Sequence, residues 1–374
     1  MKTQRTRKPP QARTLDRDGA ALLEAVLAAP DDDEPRLVYA DWLTEQGDPR
    51  GEFILVQIEL ARLGGDDATG PRAEELRARE AALFAKHKKG WQALAPGGRV
   101  ELTIGDRRWV HGSPTKWEFC RGFARAVTMN AADLVANSEL LFAREPVERV
   151  HLTNGDLEEV LARAAGLERL RELDLARFKL RGGAADALFG SDRFPSLRAL
   201  DLSSSGINVA TAQAMARATR AQFPSLRSLN LADNRVGDKV LAALGRAPLV
   251  SAVEELNLLR SAFGATGARA FVDGTRGARW RRLLVTAADL AGEAGRALAE
   301  SPALDAIEEL MLQFCRLEDD AVVALTRRPL PSLRALRLAY NPLTARAHEA
   351  VAAAPWRAQL TVLEIDRSIA GTIG

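Results

Sequence analysis

The sequence predicts a right-handed α/β solenoid, with a parallel sheet on one face and helices on the other, preceded by a small all-α domain. Three observations carry this expectation. An apolar pattern, Leu-x-x-Leu-x-Leu with Asn, Cys or a small residue three positions further on, returns along the C-terminal two thirds of the chain. Segments rich in Ala and Leu at i, i+3, i+4 spacing lie between its copies. Ahead of the pattern, from Asp16 to about Pro96, the apolar spacing is helical.

Aligned on its third apolar position, the pattern gives Met129, Leu152, Leu175, Leu202, Leu231, Leu258, Val285, Leu312, Leu338 and Ile365. Successive steps are 23, 23, 27, 29, 27, 27, 27, 26 and 27 residues, within the roughly 20–29 residues of a leucine-rich repeat. Two copies keep an asparagine three positions on, Asn234 and Asn341, and Cys315 takes that place in a third. Strand alternation turns the aligned residues inward. Segments such as 238–245 and 291–300 return as amphipathic helices, so a strand and a full helix fill about 27 residues. That proportion resembles the ribonuclease-inhibitor-like subclass of leucine-rich repeats, to which the Ran GTPase-activating protein also belongs. The resemblance implies a horseshoe with about ten strand positions over 119–374.

In the N-terminal segment, Leu22, Leu23, Val26 and Leu27 mark a first helix, which ends at Ala29-Pro30. Asp31-Asp32-Asp33 offers acidic caps to a second helix from Glu34-Pro35, and Gly47-Asp48-Pro49 stops it. A third runs from Arg50 to Leu63, and Pro71 opens a fourth that carries Leu76 and Leu83. Trp42 is expected in the helical core, Asp48 as a cap, and Arg50 paired with a carboxylate. Residues 37 to 60, LVYADWLTEQGDPRGEFILVQIEL, resemble the bacterial repeat-companion domain that accompanies leucine-rich and other repeats. Arg121-Gly122-Phe123 fits that family's joining region. The expected division is a flexible basic tail at 1–15, a helical companion domain at 16–98, a connector at 99–118 and the repeats from 119 to 374.

Composition narrows the function. A chain of 374 residues, 47% hydrophobic, is long enough for one small domain and one solenoid. A net charge of +2 makes neither nucleic acid nor an anionic membrane a default partner. Residues 1–13 are basic but lack the apolar stretch of a signal peptide, and no run has the length of a membrane-spanning helix. Cytoplasm is the expected compartment. Cys120 and Cys315, the two cysteines, form no disulfide framework.

Motifs for chemistry are missing from the sequence. His87, His111, His151 and His348 are scattered, and neither a Gly-x-x-x-x-Gly-Lys-Ser/Thr loop nor a Gly-x-Ser-x-Gly elbow occurs. Gly182-Gly183 and Gly264 to Gly267 fall at turns into helices, and Glu318-Asp319-Asp320 begins one. No catalytic residue, metal or cofactor is therefore assigned, and the protein is expected not to be an enzyme. The outward residues before each aligned position form a row of Thr128, His151, Asp174, Asp201, Asn230, Asn257, Leu284, Met311, Arg337 and Glu364. Arg149, Glu172, Glu255, Arg282 and Glu309 flank it on one side, Leu259 and Gln313 on the other.

The expected function is a non-enzymatic scaffold that binds a protein partner on this row. Leu259, Leu284 and Met311 form its apolar centre, with Asp174, Asp201, Asn230, Asn257, Gln313 and Arg337 around them. Two alternatives stay open: GTPase activation through the repeat edge, by analogy of repeat subtype, and nucleic-acid binding through Arg-rich loops such as 276–282. Trp280 falls at the first apolar position of its repeat, which argues for burial over base stacking. The C-terminal repeat, followed by only nine residues, could pair with a second copy of the chain.

Overall fold

The computed structural model describes residues 17–65, 69–92, 100–104, 107–111, 116–180 and 183–365. The basic tail at 1–15, Gly182 and the residues after the last strand, 366–374, lie outside the described residues. Two compact units share the chain: Met1–Val150 with Ala164–Gly166, and His151–Arg163 with Leu167–Gly374.

The first unit opens with four helices, α1 (Arg17–Ala28), α2 (Glu34–Glu45), α3 (Pro49–Arg62) and α4 (Pro71–Trp91). Two antiparallel hairpins follow, β1 (Val100–Ile104) with β2 (Arg107–His111) and β3 (Lys116–Cys120) with β4 (Phe123–Met129), and then α5 (Ala131–Arg144). Pro35, Pro49 and Pro71 each stand in a first helical turn, where the missing N–H costs no hydrogen bond. Asp48 caps α3 as expected, accepting from the Arg50 N–H at 2.9 Å. Asp32 accepts from the Glu34 N–H at 3.0 Å, whereas Asp33 makes no side-chain cap and lies 3.4 Å from Arg121 and 3.5 Å from Arg62.

One core joins Leu23, Val26, Tyr39, Ala40, Leu43, Ile54, Ile58 and Phe123. Trp42, expected in the helical core, packs against it partly buried and stacks on Tyr39 at 5.8 Å. Two glycines are fixed by close approach. A Cβ on Gly51 would come within 2.5 Å of the Ala40 carbonyl oxygen where α3 meets α2, and one on Gly122 within 2.1 Å of the Ile54 side chain.

The unit boundary falls within β5 (Arg149–Leu152), and the second unit repeats strand and helix in turn. Its elements are α6 (Leu157–Arg163), β6 (Glu172–Asp174), α7 (Ala184–Gly190), β7 (Ala199–Asp201), α8 (Val209–Arg217), β8 (Ser228–Asn230), α9 (Gly237–Gly245) and α10 (Pro248–Ala252). They continue as β9 (Glu255–Leu258), α11 (Ala265–Gly274), β10 (Arg282–Thr286), α12 (Glu293–Ala299), β11 (Glu309–Gln313), α13 (Asp319–Thr326), β12 (Ala335–Arg337), α14 (Ala345–Ala352) and β13 (Val362–Glu364). From β6 onward each strand pairs in parallel with the next, without a crossover in the order. This is the expected solenoid.

Every aligned apolar residue is buried, from Met129 to Ile365. Removing each such side chain from water contributes about 2 kcal/mol, but only once a neighbouring repeat covers it. Polar groups at the corner after each strand are shared in the same way. Asn234 is 1% exposed; its Nδ2 donates to the carbonyls of Leu202, Leu231 and Ala232 at 2.9, 2.9 and 3.2 Å. Its Oδ1 accepts from the Gly206 and Ile207 N–H groups of the preceding repeat at 2.9 and 3.1 Å. Asn341 does the same to Leu312, Leu338, Cys315 and Leu317.

Where the amide is absent, its substitute manages less. Ser205 donates to the Leu175 carbonyl at 2.9 Å, Cys315 directs its thiol at the Gln313 carbonyl at 3.2 Å, and the buried Ser261 hydroxyl has no partner. Asn341→Ala, which strands two carbonyls and two N–H groups, is expected to lower the unfolding free energy by about 3 kcal/mol in urea titrations. Ser261→Ala should change it by less than about 0.5 kcal/mol, because no bond is lost.

Cys315 adds a pH dependence. Burial pushes its thiol up to about 12, while in the unfolded chain it ionises near about 8.5. The folded value is the higher one, so this contribution is complete below the unfolded value and is lost as pH rises toward 12. Urea unfolding between about pH 8.5 and 10 should show stability falling by up to about 1.4 kcal/mol per pH unit, and Cys315→Ser should remove that slope.

Candidate functional site

The strand face of the second unit brings the sequence-predicted row together. Asp174 pairs in register with Asp201, Asp201 with Asn230, Asn230 with Asn257, Asn257 with Leu284, Leu284 with Met311, Met311 with Arg337, and Arg337 with Glu364. Neighbouring side chains therefore stand about 4.8 Å apart along the row. His151 Nδ1 lies 3.7 Å from Asp174 Oδ2. Unlike the row's polar members, Leu284 and Met311 present half-buried apolar side chains between Asn257 and Arg337, with half-buried Leu259 and Gln313 beyond them along the strands.

Four members of the row do a local job that the spacing did not reveal. Asp174, Asp201, Asn230 and Asn257 each accept, through Oδ1, the N–H two residues on, at 2.8, 2.7, 3.0 and 2.9 Å. These Asx turns take up an N–H that would otherwise extend the strand. Strands β6, β7 and β8 end at the Asp or Asn after three residues, whereas β9 continues one residue past Asn257, and β12 also ends after three residues, at Arg337. Leu284 and Met311 cannot make the turn, and β10 and β11 run on for five residues, pairing Thr286 with Gln313. Asp201 also accepts from the Asn230 Nδ2 at 2.7 Å. The polar end of the row is thus committed to the fold, while its apolar part has no such task.

Charges on the face are arranged in alternation. Arg282 lies 3.6 Å from Glu255 and 2.9 Å from Glu309; Arg337 pairs with that same Glu309 and, at 3.2 Å, with Glu364. Gln313 Nε2 donates to Glu364 at 2.9 Å. Just before the strands a second line reads Arg227, Glu254, Arg281, Glu308, with contacts of 3.4, 3.6 and 2.7 Å. The arginine run at 276–282 is absorbed here, since Arg281 and Arg282 serve these lines, Arg276 pairs with Asp273 at 2.8 Å, and Trp280 is fully buried against Phe271.

A feature without a sequence signal lies at the corner after each strand. Arg177, Ser204, Asp233, Arg260, Ala287, Phe314 and Tyr340, each two residues past the aligned apolar position, all have φ between 53° and 64°. Left-handed backbone costs a non-glycine residue on the order of 1 kcal/mol, and no glycine marks the position. Two of these residues form a stacked pair: the Phe314 and Tyr340 rings lie 4.1 Å apart at 9°, with Phe314 48% exposed.

In the first unit, the Arg50 cluster serves the fold. Arg50 reaches Glu145 with both carboxylate oxygens at 2.7 and 2.8 Å, donates to the Gly122 carbonyl at 3.2 Å, and lies 4.6 Å from the centre of the Phe123 ring. Glu145 also accepts from the Ala124 N–H at 2.7 Å. Burial pushes its carboxyl above the usual range, and Arg50 opposes that shift. Gln57 completes the arrangement, accepting from the Gly122 N–H at 2.6 Å.

Among the described residues, no group of three or more His, Cys, Asp or Glu side chains could hold a metal ion, and no helix is long and apolar enough to cross a membrane. A cavity of about 600 Å³ opens at the corners after β5 and β6, lined by residues including Asn154, Asp156, Arg177 and Lys179.

One family comparison agrees with the repeat geometry. A leucine-rich-repeat family model matches residues 224–245, which span β8 and α9 and include Asn234. No curated protein matches the chain. Among solved structures, a structural-genomics target from Bacteroides fragilis is similar at 11% identity, over 79% of this chain and 84% of that one, with a TM-score of 0.32.

The alternating charges make a direct prediction. Arg282→Glu sets three carboxylates side by side, and should cost about 1 kcal/mol of stability at low ionic strength. The loss should shrink in about 0.5 M salt, as exposed charges are screened. Urea titrations at the two salt concentrations measure it.

Proposed function

We propose that the leucine-rich-repeat unit is a non-enzymatic recognition scaffold that binds a partner polypeptide on its strand face, centred on Leu259, Leu284 and Met311. One observation carries this reading. On a face whose charges are paired and whose Asp and Asn side chains cap their own turns, two apolar side chains stand half-exposed in register, at the point where the strands are longest. Such a centre with a polar rim is the usual anatomy of a protein-binding hot spot. A stacked sheet holds these groups before the partner arrives, which lowers the ordering cost of binding. Asn257, Gln313 and Arg337 flank the centre; Asp174, Asp201 and Asn230 extend the polar rim along the row.

The repeat length of about 27 residues supports the ribonuclease-inhibitor-like subclass. For the helices ahead of the repeats we favour the repeat-companion domain. Of the residues that suggested it, Arg50 donates to the Gly122 carbonyl and lies over the Phe123 ring, and Gly51 allows the close approach of α3 to α2. Two free cysteines, one of them buried, suit a reducing compartment such as the cytoplasm.

The test is affinity capture from the native lysate with wild type and a Leu284→Asp/Met311→Asp variant as paired baits. A protein retained by wild type and lost from the variant is the expected result, with the thermal midpoint moving by less than about 3 °C. Equal recovery on both baits would remove the strand face as the binding site. A collapsed midpoint would show that the two side chains are core.

A further inference from the structure

We infer that the corner above Ala287 is a slot for one aromatic side chain, a tryptophan or tyrosine carried by the partner polypeptide. The inference rests on the reading of the repeat unit as a protein-binding scaffold and adds the chemistry of one contact. In the line of left-handed corner residues, Asp233, Arg260, Ala287, Phe314 and Tyr340 follow one another at single-repeat steps. Tyr340 covers one face of the Phe314 ring. Phe314 is nevertheless 48% exposed, so the open face is the one toward Ala287, itself an exposed residue with nothing beyond Cβ. Arg260 leans the other way, its guanidinium forked onto Asp233.

One repeat step, about 4.8 Å, separates Ala287 from Phe314. A planar group needs about 3.5–4 Å of contact distance, so one ring fits beside Phe314 at the position where Ala287 has nothing beyond Cβ. Phe314 offers the stacking surface that an aromatic ring prefers. The rim selects the kind of ring. Arg260 and the neighbouring Arg316 hold the outermost charges, with side chains 67% and 72% exposed against 33% and 31% for their partners Asp233 and Asp289. Because each arginine is already paired with a carboxylate, the rim has no surplus cation to hold a phosphate, which favours an amino-acid ring over a nucleotide.

The test uses the full chain, isotope-labelled at alanine methyls and phenylalanine rings, titrated with N-acetyl-L-tryptophanamide and, separately, with N-acetyl-L-leucinamide and adenosine. The tryptophan amide should shift the Ala287 methyl and the Phe314 ring saturably. Phe314→Ala should weaken that binding at least about tenfold. Ala287→Trp, which fills the slot with its own ring, should abolish the response at Phe314 while the chain stays folded. Leu284→Asp/Met311→Asp should leave it within about twofold, so that loss of the strand-face reading and loss of the slot are separate results. Equal binding of the leucine amide, tighter binding of adenosine, or a response that survives Phe314→Ala would each overturn the proposal.

Discussion

A strand that ends in a tight corner leaves N–H and carbonyl groups that its own repeat cannot satisfy, and the repeat unit depends on how these are handed along. Asn234 and Asn341 take the most complete route, each bonding its own corner and the one before it. Backbone bonds carry the rest; the Leu175, Leu202 and Leu231 N–H groups each donate at 2.8 Å to the following repeat. Burial of the apolar row and satisfaction of the polar corner therefore need the same event, the arrival of a neighbour. Neither is available to a lone repeat.

The same economy explains why the strand face is uneven. An Asp or Asn in the outward row closes its own corner and shortens its strand; a Leu or Met leaves the strand free to extend. From β6 to β13, the apolar stretch at Leu284 and Met311 coincides with the two longest strands.

Much of this was legible in the sequence, and what was not has a physical cause. The aligned row from Met129 to Ile365, the four N-terminal helices and the Asp48 cap followed from periodicity and capping chemistry, which act over a few residues. The partner of Arg50 was foreseen as a carboxylate but not as Glu145, 95 positions away, because sequence separation says nothing about such a pair. Trp42 was expected to fill the helical core, and it packs against that core only partly buried. The outward row falls in register along the strands, yet Asp174, Asp201, Asn230 and Asn257 were read as partner-binding residues without a local task, though an Asx turn uses the same residue types. The left-handed corners gave no signal, since Arg260, Ala287 and Phe314 stand where glycine would have announced them.

The two lines of alternating charge carry a consequence for how such a protein can change length. Along Arg227, Glu254, Arg281 and Glu308, each residue opposes its neighbours. If an ancestor lost a single repeat from this stretch, Arg227 would meet Arg281, or Glu254 would meet Glu308, and every later contact of the line would still hold. Loss of two repeats together would rejoin unlike charges and leave no scar. A parity rule is thereby written into the surface: duplication and deletion by pairs are tolerated, while odd steps leave one mismatched seam for selection to act upon.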